Sequence, residues 1–402
     1  MNILIDATWI GGMYGSKVMH GGLRVTNEFL KRLGNFKQHT FYLTNTNYLE
    51  KNINTLKKYV SNEIGTDNVK VQARDIKLLN SANYTRLYSK VSRYVPIPYI
   101  YPFVSLNFRG SIDVYHAPVD PIPGIIRHNK RIKKFFTALD LIPLVRPDLS
   151  NNFYDYTKKL YDSLTPDINI LAISQSTKND ILKYRNDLHP DKIRVTYLGA
   201  DEKLFYNIPE KDRIQKELAK SKLQGKKYVL TINSMARYKN VEFILDNYFA
   251  FIREHGIEDL HLVVIGQNRE TNYKEYVENK YGKYDRVLFF DYLDDDALVY
   301  LYNGALAFLY MSHYEGFGLP ILEAMQCGTP VICSNTSSMP EVAGNAALLA
   351  SPNDNETFQR SLNEVYHNAE LANRLKFAGL EQAKKFSWSK YAEEVVRAYE
   401  EM

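Results

Sequence analysis

An α/β chain with two parallel sheets, each covered by helices on both faces, is predicted by three observations. Short apolar runs alternate with helix-like segments almost from end to end, the pattern of buried parallel strands joined by crossover helices. With 402 residues the chain exceeds one ordinary core and suits two domains of about 200 residues each. The alternation breaks over residues 199–225, which are polar, charged and without strand periodicity.

In chain order, strands are predicted at 2–6, 40–44, 114–116, 134–139, 169–174 and 194–198, and a second series at 227–232, 261–265, 287–290, 305–310, 330–333 and 347–349. The break sets the domains at 1–200 and 201–388, followed by an amphipathic tail helix at 389–402. The cleft between them is the expected ligand site. The opening residues 1–10 lack a basic leader and a long apolar region, so they read as a first buried strand and not as a secretory signal. No run approaches the roughly 18 apolar residues that span a bilayer, and a cytoplasmic protein is expected. An apolar share of 45% with 24% charged residues is that of a globular chain. The net charge of +5 comes from 51 basic and 46 acidic residues and carries no nucleic-acid signature, so nucleic acid is not among the expected partners. Cys327 and Cys333 have no His or Cys at zinc-ligand spacing and read as small buried residues.

The loudest chemistry lies in Glu315-Gly316-Phe317-Gly318-Leu319-Pro320-Ile321-Leu322-Glu323. Its glycines let backbone N–H groups approach an anionic ligand, and the turn opens a helix whose positive end favours phosphate. One carboxylate then stands in the loop and the other on the helix, and each can accept hydrogen bonds from vicinal hydroxyls of a sugar or a ribose. The strand before the turn and the strand after Gly328 make this a βαβ unit with its carboxylates at a strand's carboxyl end, where open parallel sheets bind ligands. Upstream, the strand at 227–232 runs into Arg237, Lys239 and a helical pattern from Val241. A diphosphate placed there meets backbone donors, the helix dipole and a lysine charge together.

Asp294, Asp295 and Asp296 resemble a cation-holding cluster only superficially: Asp294 is placed to cap the next helix and its neighbours to complement the helix end, so no metal site is predicted. In the first domain, Gly21 and Gly22 read as a turn opening a helix after the first strand, with Arg24 close behind. Asp140 ends a strand. His116 is either a member of the same cluster or a satisfied strand-end histidine. Residues 84–101 interleave tyrosines with basic side chains and contain no acid; they suit an anionic membrane face or an amphipathic helix and loop of the first domain with its basic side in water.

Taken as a whole, the block from His313 to Gly344 resembles the donor-binding core of retaining glycosyltransferases of family 4, whose fold, GT-B, pairs two Rossmann-like domains. The resemblance implies a retaining hexosyl transfer from a nucleotide diphosphate sugar to a saccharide or lipid-linked saccharide in surface-glycan assembly. No cofactor is implied. Glu315 would hold the donor sugar, Gly316, Phe317, Gly318 and Leu319 would present amides, and Glu323 would hold the ribose. Lys239 and Arg237 would steady the diphosphate in place of a metal ion. Tyr292 and Leu293 would run beside the base. Gly21, Gly22, Arg24, Asp140 and His116 would lie at the acceptor and phosphate loop, and the tail helix would cross back onto the first domain. One departure stands out: where many members carry a histidine before the aspartate, this chain has Leu139. A sugar-nucleotide epimerase of the same fold and a non-catalytic nucleotide-sugar-binding subunit are the rival readings.

Overall fold

The computed structural model describes residues 1–14, 21–45, 50–72, 111–149, 153–220, 223–266, 271–291 and 293–402. Tyr292 and the tyrosine-rich stretch 84–101 therefore lie outside the described residues. Among the described residues, β1 (Asn2–Asp6), β2 (Thr40–Thr44), β3 (Val69–Val71), β4 (Val114–Ala117), β5 (Lys133–Ala138), β6 (Asn169–Ala172) and β7 (Ile193–Val195) form a seven-stranded sheet in the order β3-β2-β1-β4-β5-β6-β7. A six-stranded sheet follows, built from β8 (Lys227–Asn233), β9 (Leu260–Gly266), β10 (Val287–Phe290), β11 (Ala307–Tyr310), β12 (Val331–Ser334) and β13 (Ala347–Ala350) in the order β10-β9-β8-β11-β12-β13. Every strand pair is parallel. The strands are buried on both faces because helices cover both, which is why they are nearly uniform apolar runs: Ile3, Leu4 and Ile5 are fully buried, as are Phe308 and Leu309.

In each sheet the strand order reverses once, between β1 and β4 and between β8 and β11. A crevice opens at the carboxyl ends of such strand pairs. The helices that bear on the two crevices are α1 (Gly21–Arg32), α2 (Tyr154–Asp162), α3 (Gln175–Tyr184), α4 (Val241–Glu254), α5 (Asp295–Gly304), α6 (Leu319–Gln326) and α7 (Trp388–Glu401). The double glycine differs from expectation: Gly21 and Gly22 form the first turn of α1 and do not precede it, so the helix starts four residues before the expected Val25. Strand β3, only three residues long and with Lys70 at its centre, carries too little periodicity to be seen in the sequence. The predicted strand at 194–198 ends at Val195, since Tyr197 turns outward to the aromatic rings of Phe317 and Phe386.

Helix α7 begins with Ser387 as its cap, accepting from the Lys390 amide at 3.1 Å. Its apolar face, Trp388, Tyr391, Val395 and Tyr399, follows helical spacing and lies on the first domain against α1. The Tyr391 ring meets Phe29 edge-on at 6.1 Å, Lys133 donates to the Tyr399 carbonyl at 3.2 Å, and Arg194 pairs with Glu401 at 2.7 Å. The chain thus crosses between domains twice. The crossings touch at Gly199, where a Cβ would stand 2.2 Å from the Trp388 amide nitrogen, so only glycine fits.

His116 belongs to this seam. It is fully buried at the end of β4, its Nε2 2.8 Å from the Thr137 hydroxyl and its Nδ1 2.6 Å from the Tyr399 hydroxyl. This is the satisfied strand-end histidine of the two sequence readings, and its ring anchors α7 instead of reaching into the cleft. Burial lowers its pKa from 6.5 to about 3. The unfolded chain therefore binds this proton between those two values and the folded chain does not, so the stability contribution falls as pH drops from about 6.5 toward 3. Urea melts across that window are expected to show acid weakening that His116→Leu removes; an equally steep pH dependence in the variant would assign the effect elsewhere.

Candidate active site

The candidate site forms at the switch point of the second sheet. Strand β8 delivers Arg237, Tyr238 and Lys239 on a single 3-10 turn ahead of α4, and β11 delivers the Glu315 loop ahead of α6. Lys239 Nζ donates to Glu315 Oε1 at 2.6 Å and to the Tyr310 hydroxyl at 3.0 Å. The two charged side chains are 12% and 10% exposed, so the pair is largely removed from water. Burial opposes the lysine's charge, but the Glu315 carboxylate, with Tyr238 and Tyr310 around it, outweighs that penalty and holds the Lys239 pKa well above the usual lysine range. Tyr310, pushed upward by burial and by Glu315, stays a neutral hydroxyl.

The loop carrying Glu315 is pinned from beneath. Ser337 Oγ accepts from the Glu315 amide at 2.9 Å, and Ser338 Oγ donates to the carbonyls of Glu315 and Phe317 at 3.0 and 2.7 Å. Because trans peptides place N–H opposite C=O, the amides of Gly316 and Gly318 point away from Ser338. Gly318 adopts φ +110° and starts α6, followed by Leu319 and Pro320 in its first turn. Phe317 is buried against Tyr197 and Phe386. Met235, Asn240 and Ser337, at φ 48°, 57° and 49°, are the non-glycine residues with positive φ among the described residues, and all three flank this site. Each such conformation costs on the order of 1–3 kcal/mol, a concentration of strain typical of ligand loops. Asn240 is held there by donating to the Met311 and Pro352 carbonyls at 3.1 and 2.8 Å.

Not every expected member joins the pair. Arg237 sits beside Lys239 in sequence, but its guanidinium lies over the Tyr273 ring at 5.0 Å and lines a neighbouring cavity. Glu323, on α6, is buried; its Oε1 accepts from Arg24 of the first domain at 2.7 Å and its Oε2 from the Tyr302 hydroxyl at 3.1 Å. Burial raises the Glu323 pKa, and Arg24 works against that rise. Arg24 is itself raised, with burial opposing and Glu323, Asp295 and Glu28 outweighing it. Leu293 is half-buried against the core. Asp294 caps α5, its carboxylate accepting from the Ala297 amide at 2.9 Å. Among the described residues, no group of three or more His, Cys, Asp or Glu is placed to hold a metal ion.

The first domain closes directly onto this site. A Cβ at Gly316 would stand 2.3 Å from the Leu139 carbonyl oxygen and 2.9 Å from Asp140 Cβ. Leu139 also fills the space over Gly22, whose Cβ would meet it at 2.8 Å. Asp140 Oδ1 accepts from the Ile142 amide at 3.0 Å and its carbonyl accepts from Tyr161 at 3.0 Å, which fixes this strand end. Further contacts were not anticipated from sequence. Glu341 accepts from the Gln175 and Ser176 amides at 2.7 Å each, placing a second-domain carboxylate on the positive end of α3. Tyr314 donates to Asp180, and Thr177 donates to the Gly316 carbonyl at 3.3 Å.

Comparison with known proteins gives this geometry a family. Residues 212–382 match the family described as Glycosyl transferases group 1. The second domain is a group 1 glycosyltransferase domain. The group 1 domain and its surroundings are similar to O-antigen chain mannosyltransferase B of Escherichia coli, 33% identical over 60% of this chain and 63% of the relative. Serotype-specific mannosyltransferase WbdA of Escherichia coli is 28% identical over 77% of this chain and 38% of the relative. The alignments thus span less than two thirds of the length of these curated relatives. Among solved structures, Anabaena Alr3699/HepE in complex with UDP and glucose superposes with a TM-score of 0.69 over 100% of both chains at 14% identity. A glycosyltransferase from Rickettsia africae ESF-5 gives 0.68 at 17% identity, covering 100% of this chain and 98% of that one. The two parallel-sheet domains facing a cleft are the GT-B fold, as the resemblance implied. No helix among the described residues is long and apolar enough to cross a membrane.

Proposed function

We propose that this protein is a retaining, metal-independent glycosyltransferase that moves a hexosyl group from a UDP- or GDP-sugar to a hydroxyl of a saccharide or lipid-linked saccharide. The observation that carries the reading is the buried Lys239–Glu315 pair at the β8/β11 switch point, inside the group 1 domain. An incoming donor supplies a diphosphate for the lysine and hydroxyls for the carboxylate, so both charges exchange one partner for another without being left bare. The outward amides of Gly316 and Gly318 and the start of α6 add positive potential near the departing phosphate. Glu323, oriented by Arg24 and Tyr302, accepts the ribose hydroxyls on its remaining lone pairs.

Retention follows from attack on the face the nucleotide leaves, with a donor phosphate oxygen taking the acceptor proton. The relatives are named as mannosyltransferases, which makes mannose the first hexose to try. Surface-glycan assembly in the cytoplasm, with the acceptor presented at the inner membrane face, is the setting proposed.

The test is incubation with labelled UDP- and GDP-hexoses, with and without saccharide acceptors, in EDTA. Acceptor-dependent release of nucleoside diphosphate and a product of unchanged anomeric configuration are expected. An isomerised nucleotide sugar would make the protein an epimerase, and binding without turnover a partner subunit. Activity lost in EDTA and restored by manganese would end the metal-independent reading.

A further inference from the structure

A cavity of about 520 Å³ lies between the domains, beside the Lys239–Glu315 pair. Its inner wall is Leu139 and Asp140, which abut Gly316, and the opposite wall is Ala236, Arg237 and Tyr238, which lead into Lys239. The volume is that of a small-molecule site. Its floor carries an unusual apolar surface. Phe153 caps α2 and Tyr156 lies one turn on, so both rings share one face of the helix and both line the cavity. They are 63% and 45% exposed, whereas the neighbouring Phe136 and Tyr161 are buried. The Tyr156 hydroxyl donates to Asp120 at 3.4 Å, and the residue lines the cavity.

We infer that this cavity is the acceptor subsite and that Phe153 and Tyr156 form a ledge on which the C–H face of a neutral pyranose ring stacks. The inference rests on the glycosyl-transfer reading above and names the acceptor's chemistry. Aromatic rings offer apolar area at low entropic cost, and a pyranose has one face of C–H bonds with hydroxyls at its rim. Asp140 and Asp148 share the cavity wall, and Asp148 already holds Arg146 through two bonds of 2.9 and 2.7 Å. A phosphorylated or carboxylated sugar meets like charge from Asp140, Asp148 being paired with Arg146, and the Arg237 guanidinium across the cavity lies over the Tyr273 ring. A ring lying on the ledge reaches inward to Asp140, and from there to the donor loop at Gly316.

Saturation-transfer NMR on the full chain tests this, with methyl α-mannoside and methyl α-glucoside as neutral probes and glucose phosphate as the anionic counterpart. Wild-type protein is expected to pass saturation to the ring C–H protons of the neutral probes. Phe153→Ala and Tyr156→Ala are expected to weaken binding about tenfold, and Tyr156→Phe to retain it. Titration of the same proteins with UDP and GDP, with circular dichroism as the folding check, is expected to give unchanged nucleotide affinity. Neutral probes that fail to bind, that bind the alanine variants equally well, or that bind more weakly than glucose phosphate would each overturn the ledge. Failure of wild-type protein to bind either nucleotide would instead strike at the transfer reading, while the pyranoside signals still report on Phe153 and Tyr156.

Discussion

Glu315→Gln is expected to lower sugar transfer by about 10²–10³-fold, the loss typical of removing one preorganised charged contact from a reacting centre. The amide keeps the side chain's size and its place above Ser337 and Ser338, so the loop itself should hold. What changes is the lysine. Lys239 loses the carboxylate that outweighs its burial, and breaking one half of a buried pair typically destabilises by about 3–5 kcal/mol unless the charge is shed. Lys239→Met should be equally inactive because the diphosphate loses its cation. The informative protein is the double variant. Replacing both partners restores a neutral, packed interior, so Glu315→Gln with Lys239→Met should regain much of the melting temperature while remaining as inactive as either single change. Stability and turnover then separate. Near-wild-type turnover in either single variant would remove the pair from the mechanism.

Gly316→Ala is expected to abolish transfer while sparing nucleotide binding. The added methyl would sit 2.3 Å from the Leu139 carbonyl oxygen, a backbone atom fixed by β5 and by the Tyr161 bond at the next residue. Something must give, and the least costly movement is separation of the domains. The Thr177 and Tyr314 contacts and the Glu341 carboxylate on α3 would then be pulled from their partners together. Because the proposed donor contacts come mainly from the second domain, UDP or GDP affinity should change little, whereas transfer to acceptor should fall by at least the 10²-fold that an ångström of misplacement can cost. Small-angle scattering showing an unchanged radius of gyration, together with full activity, would contradict this.

Much of the fold was legible because parallel strands buried on both faces are written as apolar runs, and β1, β2 and β10 fall where their residues place them. The Glu315 loop was legible because glycines, a proline and two carboxylates in fixed order leave few local structures open. What sequence could not show is partnership at a distance. Arg24 finds Glu323 across 299 residues and Glu341 finds the α3 amides across 166, and nothing local to either carboxylate announces it. His116 misled in the other direction, since a polar residue at a strand end resembles a site until the Tyr399 hydroxyl fills its second nitrogen. Phe153 and Tyr156 were invisible as a pair because aromatic residues at helical spacing ordinarily face a core.

The contact between Gly199 and Ser387–Trp388 has a mechanical consequence. One tether lets two bodies swivel; two tethers laid side by side act as a ribbon hinge, compliant to bending and stiff to twist. Two adjacent connections therefore restrain the lobes from twisting past one another, which favours the facing of Gly316 and the Leu139 carbonyl over other pairings of the two surfaces.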